Sequence, residues 1–149
     1  MATVTAELLT YKINKLTMIN DITDNGTVQL ENMMEFDIKY GQDGLAVAVL
    51  TEYVRHRLNP NLFWLELELQ GLFRVNGIDN AVDKRAMHIK CYDEMFTHAD
   101  EIVTYLAKNS GMINFSLKKI PINQEAVNFG PKPESSTDIG KIVELRTDV

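Results

Sequence analysis

The side chains able to do chemistry in this chain are few. There are three histidines (His56, His88, His98), a single cysteine (Cys91) and 21 Asp and Glu residues. The histidines show no metal-ligand spacing such as H-x-x-x-H, so no metal site is expected. His98 lies close in sequence to Asp100 and Glu101, and in the right geometry such a group passes a proton. A polar residue on the solvent face of a helix is the commoner origin of that spacing. Cys91 would act as a nucleophile only with a base beside it, and a small core or interface residue is the expected role. One cysteine also excludes a disulfide framework or a Cys-based zinc site within a single chain. Gly71 and Gly77 belong to no phosphate loop, since neither G-x-G-x-x-G nor a Walker sequence occurs. With no catalytic constellation, neither an enzyme nor a cofactor is expected.

Composition narrows the remaining classes. A chain of 149 residues with 45% hydrophobic content has material for one domain with a sizeable core. Its net charge of -6 argues against nucleic acid, because neutralising phosphates takes clustered Lys and Arg. The longest uncharged apolar run, Gly44 to Leu50, is too short to span a bilayer. The first residues, MATVTAELLT, lack the basic start and long apolar core of a secretory leader. A cytoplasmic protein without a membrane span is expected.

The elements that must position any site are legible in the periodicity. Around Tyr11 to Ile19 the apolar parity shifts from odd (Leu9, Tyr11, Ile13) to even (Leu16, Met18), which predicts a bulge or bend. Asp24-Asn25-Gly26 is a turn signal. Met34, Phe36, Ile38 and Tyr40 alternate with Glu35, Asp37 and Lys39, a second strand. Leu45 to Leu58 is a third candidate, and LELELQGLFRV (65–75) is the fourth and clearest. Short polar turns between them favour an antiparallel meander. Within the fourth strand Phe63, Leu65, Leu67, Leu69, Phe73 and Val75 share one face with Gly71, whose missing side chain suggests close approach by a helix or a bend. Trp64, Glu66, Glu68, Gln70 and Arg74 take the other face.

The period then changes. Met95, Ala99, Ile102 and Leu106 are spaced 4, 3 and 4, an amphipathic helix. Thr97 with Asp100 resembles a cap, although the apolar spacing already starts at Met95. Gly111 is a helix stop. Ile113, Phe115 and Leu117 alternate briefly before Pro121. From Gly130 the composition shifts, and Ile142, Val143 and Leu145 could dock as a short strand. The reading is an α+β domain over 1–130, with a four-stranded antiparallel sheet carrying a long amphipathic helix on one face, and a C-terminal tail, 131–149, expected to be partly disordered. One helix leaves much apolar sheet uncovered, so self-association is expected.

Two features suggest binding. Seven methionines, with Met87 and Met95 near Ile89, Tyr92 and Phe96, suit a surface that accepts varied apolar partners. Trp64 beside Glu66 and Glu68 resembles a docking patch. A core filler and a solvated sheet face are the plainer explanations of each.

At these residues the chain resembles a family. ELQGLFRVNGI (68–78) is similar to a strand of the SecB protein-export chaperones, and CYDEMFTHADEIVTYLAKNSGMINFSL (91–117) resembles the SecB stretch that leads into a long helix ending at a glycine. Val127-Asn128-Phe129 resembles that family's Val-Asn-Phe, and the order of elements matches over roughly Leu8 to Phe129, with Asp79 to Lys90 as a crossover segment. The resemblance implies a SecB-like fold and a homotetramer, a dimer of dimers. It implies an ATP-independent holdase that takes unfolded preproteins in apolar grooves, here lined by Phe73, Met87, Ile89, Tyr92, Met95 and Phe96. It also implies docking of an export motor ATPase on the outer sheet face through Asp21, Trp64 and Glu66. Departures are Cys91-Tyr92-Asp93-Glu94 in place of the family's Cys-Pro-Asn stretch, and Pro131-Lys132-Pro133 in place of a second helix. They point to a divergent member, and a dedicated chaperone of one client such as an antitoxin is the alternative. A non-catalytic small-ligand binder built from a helix on a sheet is the reading from another class.

Overall fold

Strict alternation at the fourth strand produces two unlike faces. In a computed structural model that describes residues 4–23, 26–78, 80–113 and 138–147, Phe63, Leu65, Leu67, Leu69 and Phe73 are fully buried. Trp64, Glu66, Glu68 and Gln70 are only partly covered on the opposite face. The elements are β1 (Thr5–Asn20), β2 (Gly26–Tyr40), β3 (Leu45–His56), β4 (Phe63–Asn76), α1 (Ala81–Asn109), β5 (Met112–Ile113) and β6 (Asp138–Thr147). The four expected strands and the long helix packed on one face are present. β6 and the two-residue β5 extend the sheet to six strands, in the spatial order β1-β4-β3-β2-β6-β5.

Every pairing is antiparallel. β2, β3 and β4 form the expected meander, but β1 corrects it. It lies against β4 rather than β2, the order of a Greek key. A turn signal marks where a strand ends and carries no information on which neighbour the next strand takes. Pairing with β4 brings Lys15 to Glu66, with Nζ and Oε2 3.0 Å apart. The shift of apolar parity in β1 is a bulge, as expected, and there are two: the register skips Leu9 and again Asn14.

The helix starts earlier than its apolar spacing from Met95 implies. Asn80 is its N-cap, and the Asn80 Oδ1 accepts from the Asp83 backbone N–H at 2.9 Å. Most of the stretch read as a crossover is therefore the first turns of α1, and Thr97 caps nothing: its hydroxyl donates to the Asp93 carbonyl inside the helix, at 3.0 Å. The buried stripe is Met87, Cys91, Met95, Ala99, Val103 and Ala107, every fourth residue, while Ile102 and Leu106 form its half-buried flank. At the other end the Ser110 N–H bonds the Ala107 carbonyl, and Gly111 takes φ 84°, the left-handed turn expected of a stop.

At Gly71 a side chain of the helix presses close against the sheet. A Cβ there would lie 2.5 Å from Met95 Sδ and 3.1 Å from Leu8 Cδ1, so the glycine is the seat of Met95. β6, which holds Ile142, Val143 and Leu145, pairs along β2 from Gly26↔Thr147 to Met34↔Asp138. Phe115, Leu117, Pro121, Val127-Asn128-Phe129 and Pro131-Lys132-Pro133 lie outside the described residues.

Candidate functional site

Three surfaces of the molecule bear on function: the seam between α1 and the sheet, the flank where α1 meets β1, and the outer sheet face. The seam holds most of the groove residues expected from the sequence. Phe73, Met87, Tyr92 and Met95 are buried, Phe96 nearly so, and Ile89 is half-exposed. Tyr92 lies 5.5 Å from Phe36 and 6.1 Å from Phe96, ring to ring, in edge-on and tilted contacts. These side chains are the packing that holds the helix down. Within one chain they form a closed interface, with Ile89 at its margin.

The residues with chemical potential have local duties. Burial pushes the Cys91 thiol up to about 12, so thiolate is scarce at neutral pH and the core role holds. His56 Nδ1 accepts the backbone N–H groups of Leu58 and Asn59, at 3.2 and 3.1 Å, and so shapes the turn after β3. His88 meets the edge of Phe36 at 5.0 Å. His98 stacks on Tyr11 at 4.4 Å and lies 3.7 Å from Glu94, while Asp100 Oδ1 accepts from the Thr104 hydroxyl at 3.4 Å. The sequence neighbours His98 and Asp100 are thus engaged with different partners. Among the described residues no group of three or more His, Cys, Asp or Glu is placed to hold a metal.

The flank leaves a row of apolar side chains exposed. β1 is an edge strand, and its register places Tyr11, Ile13 and Leu16 on the helix-facing side, opposite Gly71, Leu69 and Leu67 of β4. Yet they are 40%, 47% and 43% exposed. On the helix, Ile102 and Leu106 follow His98 at steps of four and continue the line that meets Tyr11. The result is a shallow apolar strip between strand and helix, closed at its ends by Leu8 against Gly71 and by Met18, whose sulfur accepts from the Ser110 hydroxyl at 3.7 Å. Sequence reasoning saw these residues as a shift of parity. Their exposure depends on how far one helix reaches, which periodicity does not encode.

The outer face carries Trp64 and Glu66 two residues apart, with Asp21 exposed just beyond the end of β1, where its N–H bonds the Leu62 carbonyl at 2.8 Å. Trp64 is half-exposed, lies beside Tyr53 (5.9 Å between centroids) and pairs across the ladder with the exposed Ile19. Glu66 is ion-paired to Lys15, whose ammonium is held above its usual range by the hydrogen bond to Glu66. Glu68 accepts from Asn14 Nδ2 at 3.1 Å, and Arg55 Nε reaches Glu31 at 2.9 Å. The face is a mixed, cross-paired surface around an aromatic pair.

Sequence reasoning missed Glu52. It lies on β3 in phase with Leu50 and Val54, fully buried on the helix-facing side, and neither carboxyl oxygen has a hydrogen-bond partner. Desolvation first, and the charge of Asp100 second, hold its carboxyl well above the ordinary range. Its even position shares a parity with Ala46, Ala48, Leu50 and Val54, but the odd positions Leu45, Val47 and Val49 are equally apolar, so the sequence carried only half of the signal.

A long helix laid on one face of an open antiparallel sheet, with no second helix on the other face among the described residues, is a SecB-like architecture. The chain is similar to the solved structure of a SecB-like chaperone of Mycobacterium tuberculosis in complex with a peptide from an antitoxin, with a TM-score of 0.57 at 12% sequence identity over 78% of this chain and 88% of that one. No family model matches the sequence, and no curated protein matches it. Among the described residues no helix is long and apolar enough to cross a membrane.

Proposed function

We propose that this chain is a non-catalytic, ATP-independent holdase chaperone that binds unfolded or non-native polypeptide through apolar surface. The observation that carries the reading is the exposed strip of Tyr11, Ile13 and Leu16 on the helix side of a SecB-like fold. An apolar strip on an edge strand is costly to leave in water and suits an extended apolar partner. The client's first contacts are this strip and Ile89, and it reaches Phe73, Met87, Tyr92, Met95 and Phe96 when α1 shifts. The same uncovered strand supports self-association, and we infer a homotetramer, a dimer of dimers, working in the cytoplasm. Asp21, Trp64 and Glu66 form the docking surface for a partner such as an export motor ATPase. The half-exposed Trp64–Tyr53 pair supports an aromatic anchor there, with Glu66 needing to exchange Lys15 for the partner.

A second reading, a dedicated chaperone of one client, is favoured by the similar structure having been solved with an antitoxin peptide bound. Light scattering from several unrelated aggregating clients tests both. Suppression of all of them supports the general holdase, suppression of a single one the dedicated chaperone. No suppression of any at stoichiometric excess rejects the general holdase. A pull-down that also recovers no dedicated client rejects both.

A further inference from the structure

Glu52 has no part in the surfaces above, and its position is hard to explain as packing. Its cross-strand neighbours are Met34 on β2 and Leu67 on β4. The helix-facing side chains around it are Leu30, Asn32 and Met34 from β2, Leu65 and Leu67 from β4, and Leu50 and Val54 from its own strand. None of these carries a charge. From α1 the group acting on it is Asp100, another acid. Among the described residues, then, no cation faces Glu52 from any element packed against it, and both of its oxygens are unpartnered. An ionised carboxylate in such a place is strongly disfavoured, whereas a neutral carboxyl is tolerated.

We propose that Glu52 is a proton-operated latch: while its carboxyl is protonated α1 stays seated on the sheet, and ionisation of the carboxyl favours a state in which the helix has lifted and water reaches the seam. The use of the latch, exposing the apolar seam to a client, rests on the chaperone reading. The latch itself does not.

The sign follows from linkage. Glu52 holds its proton more tightly when the seam is closed than when it is open, where its affinity returns to that of an ordinary carboxylate. Below the ordinary carboxylate range both states are protonated and pH has no effect. Between that range and the raised value of the closed state, opening releases a proton, so the open fraction grows by up to about tenfold per pH unit. Acid therefore closes the seam, and rising pH loosens it.

The test is amide hydrogen exchange of α1 in the full chain at pH 5.5, 6.5, 7.5 and 8.5, with rates corrected for intrinsic exchange and read as opening constants. In the native sequence the opening constant should rise with pH from just above the ordinary carboxylate range and level off once the closed state also ionises, and in Glu52→Gln it should be flat. An equal slope in the two proteins overturns the proposal. Should Glu52→Gln fail to fold, Asp100→Asn serves. Removing that negative charge lowers the proton affinity of Glu52 in the closed state, so the rise starts at the same pH but levels off earlier and is smaller in all; a rise of unchanged extent overturns the latch. Client holding is measured separately: its absence alongside an intact pH-dependent opening rejects the chaperone reading and leaves the latch standing.

Discussion

β1 and β4 are hydrogen-bonded neighbours with apolar side chains on the same face, yet one is sealed and the other open. Leu67 and Leu69 are fully buried, while their cross-strand partners Leu16 and Ile13 are 43% and 47% exposed. A helix is about 10 Å across and strands lie about 4.8 Å apart, so one helix covers roughly two strands. α1 settles on β4 at Gly71, and β1 is covered only toward Leu8 and Met18. The comparison separates two jobs that look identical in sequence. An apolar residue under the helix holds the fold, and an apolar residue one strand further out is available to a partner.

The largest expected effect sharpens that contrast directly. Leu67→Ala should cost about 2–5 kcal/mol in urea unfolding, because it leaves a cavity under α1. Leu16→Ala, its neighbour across the ladder, should cost less than about 1 kcal/mol. Comparable losses at the two positions would break the comparison. Next comes the seat of the helix. Gly71→Ala places a methyl group against Met95 Sδ and should destabilise by about 1–3 kcal/mol. Combined with Met95→Ala, the Gly71 penalty should largely vanish in a double-mutant cycle, whereas additivity would show that the contact does not fix the helix.

Glu52→Met is expected to stabilise the fold by about 1–2 kcal/mol at pH 8, by removing an unpartnered buried carboxyl. The raised affinity of Glu52 for its proton means that its destabilising effect shrinks on acidification, so the gain should be smaller at pH 5. Denaturant midpoints at both values check the sign. The smallest effect lies on the outer face: Glu66→Gln should return the Lys15 ammonium toward its ordinary range, visible in an NMR titration of its side chain, with the helix-side core unchanged.

How much of this was readable before the structure depends on each residue's surroundings. The two faces of β4 followed from strict alternation, and Gly71 from its place on the apolar face. The parity shift located the bulge at Asn14, but the one at Leu9 left no comparable mark. The early turns of α1 carried their own signal, since Met87, Cys91 and Met95 are evenly spaced by four, but Lys84, Arg85, His88 and Lys90 dilute the apolar pattern there. β3 was ambiguous for the opposite reason. Leu45, Val47 and Val49 are as apolar as Ala46, Ala48 and Leu50, so parity alone did not say which side Glu52 faced. All six groove residues named from sequence are large and apolar, but five of them are buried in the packing of α1 on the sheet.

The central claim is that the open strip on β1 is where this protein engages its partners. It is tested by following aggregation of a chemically denatured client by light scattering, with the native chain and with the double variant Ile13→Ser/Leu16→Ser at matched, folded concentrations. The account predicts suppression by the native chain and a several-fold weaker effect of the variant, with urea stability changed by less than about 1 kcal/mol per site. Native mass measured on the same samples shows whether the strip acts by binding client or by assembling copies of the chain. Full suppression by the variant, at unchanged native mass, would contradict the account.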